Sequence, residues 1–426
     1  MPVSIKLATQ DFRKQNMETT QQEIIAGLDM GYSTIRVAVG KTGNNGTEII
    51  GVGQSPSQGM RKGQVVAPNN TAVAIREAIN QAEHMAGCKV KNVIVGIADR
   101  SILSQYSSTE VCIKQRKVSD QDVRKVIESA RANQLPPDRK ILHIIPYEFI
   151  IDKQTKTSQP IGMTGSTLEV RVNIITVASA NIENIVNACT LSGIKKINIV
   201  LQSLATAEIA LLPDEYENGV LLIDFGGGYA KTAIFSHNVL CFYHCSLVSG
   251  SQLTVDLAVG MRIPIVQAEQ LKQLHGCSLG SNVKNDDLIE IYSVKDEGKK
   301  LIKRQHITEI VGCRIEEMYS LLSRELLKTG FDERFVSAVI TGRNSFLPGM
   351  QELTGKVLKM PVRLALARTI EGIKDNVSLP EHSTAVGLVL LKARRNLVCH
   401  GILEKAGNVL LLRAKLAIRR IWKKLV

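Results

Sequence analysis

Apolar residues recur along this chain with two different spacings, and the spacings predict its elements. Residues 24–28 (IIAGL) form a short apolar strand that ends in the turn Asp29-Met30-Gly31-Tyr32-Ser33. IRVAVG and TEIIGVG follow as strands, with Gly43-Asn44-Asn45-Gly46 as a hairpin loop. From Thr71 to Met85, apolar Val73, Ile75, Ala78, Ile79 and Ala82 recur at helical spacing. KNVIVGIA reads as a buried strand. Ser119 is placed to cap a helix with Asp120 and Asp122 in its first turn, ending near Asn133 before Pro136-Pro137. ILHIIPYEFIID and LEVRVNIITVA are β-rich, 181–192 and 204–212 helical, and INIVL a strand. GVLLIDFGGGYAKTAIF then reads as strand, glycine turn, strand, the same order as IIAGLDMGYSTIRVAVG near the start. The two segments predict a duplicated unit, each half opening with an acid–glycine hairpin. Further on lie a helix at Pro264–His275, a polar loop at 278–287, a helical stretch from about Ile302 to Lys328, the strand AVIT and the turn Gly342-Arg343.

The last eighteen residues, VLLLRAKLAIRRIWKKLV, carry six basic side chains and no acid. On a helix, Leu410, Leu411, Ala414, Ala417, Ile418, Ile421, Trp422 and Leu425 share one uncharged face, and Arg413, Lys415, Arg419, Arg420, Lys423 and Lys424 lie outside it. This pattern predicts a helix lying in the plane of an anionic membrane, with indole at the headgroup boundary. Leu412 and Leu416 interrupt the charged side, so docking of the tail on its own protein is the alternative. The net charge of the chain is +13, and this tail supplies nearly half of it. A surplus concentrated there fits lipid better than nucleic acid, and basic–aromatic interleaving is missing. No run of about eighteen apolar residues suggests a transmembrane span. The opening MPVSIKLATQDFRKQNMETTQQ reads as a polar leader rather than a signal peptide. Eight irregularly spaced cysteines in 426 residues indicate a reducing compartment. His237, Cys241, His244 and Cys245 invite a metal reading. IFSHNVLCFYHCSLV is better read as two strands around a turn, which sends His244 and Cys245 to opposite faces.

A strand that ends in Asp and turns through glycine brings backbone N–H groups close to phosphate oxygens, and its carboxylate can orient a hydrated magnesium ion. Asp29 with Gly31, and Asp224 with Gly226, Gly227 and Gly228, form two such loops. Facing each other, they would hold a nucleotide's phosphates between two halves. Gly51, Gly53 and Gly59 do not form a dinucleotide fingerprint, because Pro56 takes the third glycine's position.

From about residue 24 to 393 the chain resembles the actin/Hsp70 nucleotide-binding superfamily and, within it, the bacterial cell-division FtsA family. GLDMG, GVGQSPSQGMRKGQVV, AINQAEHMAG, ILHIIPYEFIID with PIGMTGSTLEV, IDFGGG, AEQLKQLHGCSLGS and STAVGLVLL carry the resemblance. It implies an α/β, actin-like two-lobed fold built from duplicated mixed β-sheets with flanking helices, plus an FtsA-type extra subdomain and the C-terminal amphipathic helix. The expected divisions are a leader (1–22), a first lobe core (23–91, completed by 177–205 and 380–393) and an inserted subdomain (92–176). A second lobe core (206–242, completed by 329–379), its outer subdomain (243–328), a linker (394–408) and the tail (409–426) follow.

The resemblance also implies a peripheral protein on the cytoplasmic face of the cell membrane at the division site. Such proteins self-associate into actin-like filaments, hold the C-terminal peptide of FtsZ, contact anionic lipid and recruit later division proteins. Arg314 and Glu317 on the long helix are candidate peptide contacts, with a solvated helix face as the alternative. ATP and magnesium are the implied ligands, with Asp29 and Asp224 acting on the metal through water, and no structural metal is expected. Glu269 and Lys272 match a Glu-x-x-Lys that contacts ribose, and Gln202 matches a position near the attacking water.

The nucleotide loops depart from the family pattern. Tyr32 replaces a small threonine beside Ser33, and Thr34 stands where a lysine often pairs with phosphate. The second loop ends Gly228-Tyr229-Ala230-Lys231, losing two hydroxyls and turning an acid into a cation. The adenosine loop is Thr341-Gly342-Arg343 instead of Thr-Gly-Gly, so an arginine either blocks the base or stacks on it. Lys231 either replaces the lost cation or occupies the magnesium space. These changes predict weak or absent ATP binding and little turnover, hence an adaptor rather than an enzyme. A pilus-assembly adaptor and an actin-fold ATPase or sugar kinase are the alternatives. A kinase needs a carboxylate base aimed at a substrate hydroxyl, and no convincing extra acid is evident.

Overall fold

The computed structural model describes residues 23–43, 46–61, 63–131, 136–284, 287–293, 298–331, 333–365 and 379–393. The leader, the linker and the amphipathic tail lie outside the described residues.

Two five-stranded sheets form the centres of the lobes. The first runs, in spatial order, Gly46–Pro56, Thr34–Gly43, Glu23–Met30, Asn92–Ile97, Lys196–Leu201. The second runs Val239–Ser246, Ala230–Ser236, Val220–Phe225, Ser337–Thr341, Val362–Leu364. In both, the first three strands pair antiparallel and the last two join parallel to the central one. The duplication predicted from the two hairpins therefore extends through order and strand sense. Val220–Phe225 is buried at all six positions, as a central strand covered on both faces must be.

Helix Pro68–Ala86 covers the first sheet with Ala74, Ile75, Ala78, Ile79 and Ala82, while Val73 is two-thirds exposed and belongs to the outer face. Gly53 and Gly51 let that helix approach the strand backbone, since a side chain at either would meet helix atoms. Helices Gln202–Ala210 and Leu379–Ala393 pack on each other through Gly387, where an added Cβ would overlap the Ala205 carbonyl.

An inserted four-stranded sheet, ordered Leu103–Cys112, Thr167–Ala178, Arg139–Ile151, Thr155–Thr157, buries one face under helix Asp120–Arg131. Ser119 caps that helix: Asp122 N–H donates to Ser119 Oγ at 3.2 Å, and Asp122 Oδ2 accepts from Ser119 N–H at 2.9 Å. The insert docks against the edge of the second sheet. Asn173 Nδ2 donates to Cys241 O at 3.2 Å and Ser104 Oγ to Tyr243 O at 3.1 Å. Tyr106, Tyr147, Phe242 and Phe331 form an aromatic cluster there, with the Arg334 guanidinium 5.4 Å from the Tyr147 ring centre.

The outer part of the second lobe comprises helices Gly250–Met261, Ile265–His275 and Arg304–Thr329 with the hairpin Leu288–Ser293/Gly298–Lys303. The long helix buries Ile307, Val311, Ile315, Met318, Tyr319, Leu322 and Leu326 along one stripe.

Three expected divisions change. Asn92–Ile97 lies between Glu23–Met30 and Lys196–Leu201 in the first sheet, parallel to both and buried from Val93 to Ile97, and not in the insert. The cut between 205 and 206 falls inside helix Gln202–Ala210. The second sheet's edge strand continues to Ser246, past the limit at 242. Ile302 belongs to the hairpin strand Gly298–Lys303, and the long helix starts at Arg304. The strands Ala230–Ser236 and Val239–Ser246 turn at His237 and Asn238, both at positive φ, as the two-strand reading of that segment requires.

Candidate functional site

Both acid–glycine hairpins open at the carboxyl ends of their central parallel strands, where ligands of open α/β sheets gather. They line an interlobe cleft of about 470 Å³ together with Asp29, Gly31, Tyr32, Ser33, Thr34, Gln202, Asp224, Gly226, Gly227, Gly228, Lys231, Glu269, Lys272, Gly342 and Arg343. The cleft thus gathers every residue assigned from the sequence to nucleotide binding, and its size suits a small molecule.

The first loop is held by Ser57, which donates through Oγ to Gly31 O at 2.7 Å and through N–H to Ser33 O at 3.0 Å. The second is held from three directions. Gly250 N–H donates to Gly226 O at 3.0 Å, Ser251 N–H to Gly227 O at 2.8 Å, and Asn344 Nδ2 to Phe225 O and Gly226 O at 3.2 and 3.1 Å. Gly342, at φ 86°, lies against Asp224, where a side chain would collide with the carboxylate. Tyr32 crosses the mouth of the cleft: a methyl group at Gly228 would fall 2.5 Å from its ring.

Four side chains form the floor. Lys231 Nζ lies 2.6 Å from Asp224 Oδ2 and donates to Gln202 Oε1 at 3.1 Å. Gln202 Nε2 donates in turn to Asp29 Oδ1 at 2.6 Å. Gln202 is engaged at both ends and bridges the lobes. Burial pushes the Asp29 carboxyl up to about 6, against the opposing pull of Lys231 and Arg36. Burial is the largest influence and works against the Lys231 ammonium, yet Asp224, Asp29 and Cys245 together outweigh it and hold its pKa above the ordinary lysine value.

The magnesium assignment to Asp29 and Asp224 does not fit this arrangement. The Lys231 ammonium fills the space beside Asp224 where a hydrated metal would sit, and a cation there repels a second one. Lys272 lines the cleft, but Glu269 Oε2, Thr254 Oγ1 and Gly250 O accept from its three donors at 2.7, 2.8 and 2.9 Å. It therefore ties two helices together, and the outward Glu269 is the better placed of the pair to meet a ligand. Burial opposes the Glu269 charge, while hydrogen bonds from Lys272, Thr254 and Gln273 outweigh it and keep its pKa below the usual range. Arg343 is exposed at the rim.

Arg36, Asn344, Glu381, Ser383 and Thr384 also line the cleft or hold its loops and escaped the sequence reading. A signal existed for Arg36: it follows Asp29 by the same seven positions as Lys231 follows Asp224, and both pairs face each other across their hairpins. On the long helix, Arg314 is held by Asp256, with Nε 2.6 Å from Oδ2 and Nη2 3.1 Å from Oδ1, and also pairs with Glu317. Glu317 is half exposed. No helix among the described residues is long and apolar enough to cross a membrane.

Comparison with known proteins bears on the family and the fold. The family profile "SHS2 domain inserted in FTSA" matches residues 100–176, the inserted sheet, and "Cell division protein FtsA" matches 221–387. The cell division protein FtsA of Pseudomonas aeruginosa is 35% identical over 373 residues, covering 86% of this chain and 89% of its own length. Among solved structures, the PilM–PilN type IV pilus biogenesis complex aligns at TM-score 0.63 and 15% identity, covering 88% of this chain and 98% of the other. MreB5 of Spiroplasma citri bound to AMPPNP aligns at 0.55 and 12%, covering 88% and 97%. These two share the actin-like fold. With both FtsA profiles matched and a relative at this identity across most of its length, the chain belongs to the FtsA family of cell-division proteins.

Proposed function

We propose that this division protein is a membrane tether and scaffold rather than an enzyme. The tail at 409–426 lies on the cytoplasmic face of the cell membrane at the division site, with Ile418, Ile421 and Trp422 among the acyl chains and its six cations on anionic headgroups. The body, assembled into actin-like filaments, holds the C-terminal peptide of FtsZ and recruits later division proteins. Arg314 and Glu317 take part in the peptide site: basic peptide groups meet Glu317, and acidic ones compete with Asp256 for Arg314.

The non-enzymatic half of this reading rests on one observation, the Lys231 ammonium bonded to Asp224 on the cleft floor. Phosphoryl transfer to water needs a placed metal and a positioned nucleophile. Here the Lys231 ammonium sits against Asp224, where it competes with a metal, and Gln202 is tied to Asp29 and Lys231. ATP therefore binds weakly and is hydrolysed little.

Flotation with vesicles containing phosphatidylglycerol tests the tether. The full chain should float and retain a labelled FtsZ C-terminal peptide, whereas residues 1–408 should stay in the dense fraction. Equal flotation of the truncated chain, or no peptide on vesicles carrying the full chain, overturns the reading.

A further inference from the structure

The two hairpins each set a cation opposite an aspartate, Arg36 opposite Asp29 and Lys231 opposite Asp224. The pairs are related by the duplication that relates the sheets, so a matched pair of cations flanks the two loops. Lys231 carries three N–H donors, Asp224 and Gln202 accept from two of them, and the residue lines the cleft. Arg36 lines the same cleft. Its Nε is buried without a hydrogen-bond partner, and its nearest ion pair is a loose one, 3.9 Å from the partly exposed Glu381. Thr34 holds the place where the family often has a phosphate-pairing lysine, and Arg36 lies two positions along the same strand.

We propose that Lys231 stands in for the divalent cation and that the cleft takes a polyphosphate of the nucleoside triphosphate class without metal, with Arg36 as its second cation. The proposal rests on the reading that the cleft still binds a nucleotide. Guanidinium offers a planar fork suited to phosphate oxygens. The ammonium bridges the acidic floor and the anion, as a hydrated metal does elsewhere. It cannot activate water, so binding is separated from turnover.

The test is calorimetric titration of the full chain with ATP, once with magnesium and once with excess EDTA. Equal dissociation constants, within about threefold, are expected. In EDTA, Arg36→Ala and Lys231→Met should each weaken binding by about tenfold or more, and Thr34→Lys should restore it to the Arg36→Ala protein. The wild-type comparison stands even where a variant fails to fold. Loss of about tenfold or more in EDTA for the wild type shows that a metal is required; it overturns the proposal and leaves nucleotide binding intact. Absence of heat with both ATP and tripolyphosphate, with and without magnesium, overturns the proposal together with the nucleotide reading. Unchanged affinity in Arg36→Ala removes Arg36 from the site.

Discussion

Asp224 and Lys231 face each other across the second hairpin with Nζ 2.6 Å from Oδ2, and neither side chain is more than about a tenth exposed. Removing one member of such a pair leaves a buried charge without compensation, which costs far more than the pair itself is worth. Lys231→Met is therefore expected to destabilise the protein by about 3 kcal/mol. Adding Asp224→Asn to it should recover most of that loss, because both charges are then gone. Urea denaturation of the two single variants and the double variant reads the coupling directly; additive losses would contradict it.

The first lobe's aspartate gives a pH signature. Burial raises the Asp29 pKa to about 6, so the folded chain keeps a proton that the unfolded chain releases near pH 4. Stability due to Asp29 is thus present at low pH and is lost as pH rises from about 4 to about 6. Asp29→Asn keeps an acceptor for Gln202 and should gain on the wild type across that window, by up to about 3 kcal/mol. Denaturation series at several pH values would show it as a stability difference that grows with pH, and a constant difference would refute the assignment.

Gly387 sets the separation of helices Gln202–Ala210 and Leu379–Ala393, which carry Gln202, Ser383 and Thr384 to the cleft. Gly387→Ala should cost about 1–3 kcal/mol through overpacking against Ala205. The melting temperature would fall accordingly, despite the higher helix propensity of alanine.

The insert is fastened to the second lobe in part by Arg334. Its Nη2 lies 3.3 Å from Glu148 Oε1, and its guanidinium packs over Tyr147 and Phe331. Arg334→Ala is expected to cost about 1–2 kcal/mol. Limited proteolysis should then cut between the insert and the body sooner than in the wild type.

Ile418→Glu with Trp422→Glu places two acids on the apolar face of the tail. This variant should lose binding to anionic vesicles by at least about tenfold, and the wild type's binding should weaken with added salt. Unchanged vesicle binding would exclude the tail as the anchor.

Much of this protein is legible along the chain. The apolar runs of IIAGL and IRVAVG, each beside an acid–glycine turn, recur in VLLIDF and AKTAIF and expose the duplicated hairpins, because apolar runs and turn chemistry are read over a few residues. Asp29, Asp224 and the glycines could be assigned to one cleft from that repeat alone. Arg36 was overlooked because an alternating strand does not show which neighbour it faces until the hairpin register is set. The apolar run Asn92–Ile97 carries no mark of its partners, so chain order alone puts it with the insert while pairing puts it in the first sheet.

The sequence by itself determined the two acid–glycine loops, the amphipathic tail and the family pattern, all of which follow from residue types at short, fixed spacing. Only the tertiary structure decided that Lys231 bonds to Asp224 on the cleft floor, that Lys272 has no donor left for a ligand, and that the insert leans on the second sheet. The physical reason is that a charge or donor is free or engaged according to what other segments bring within about 3 Å of it, and chain spacing does not encode that distance.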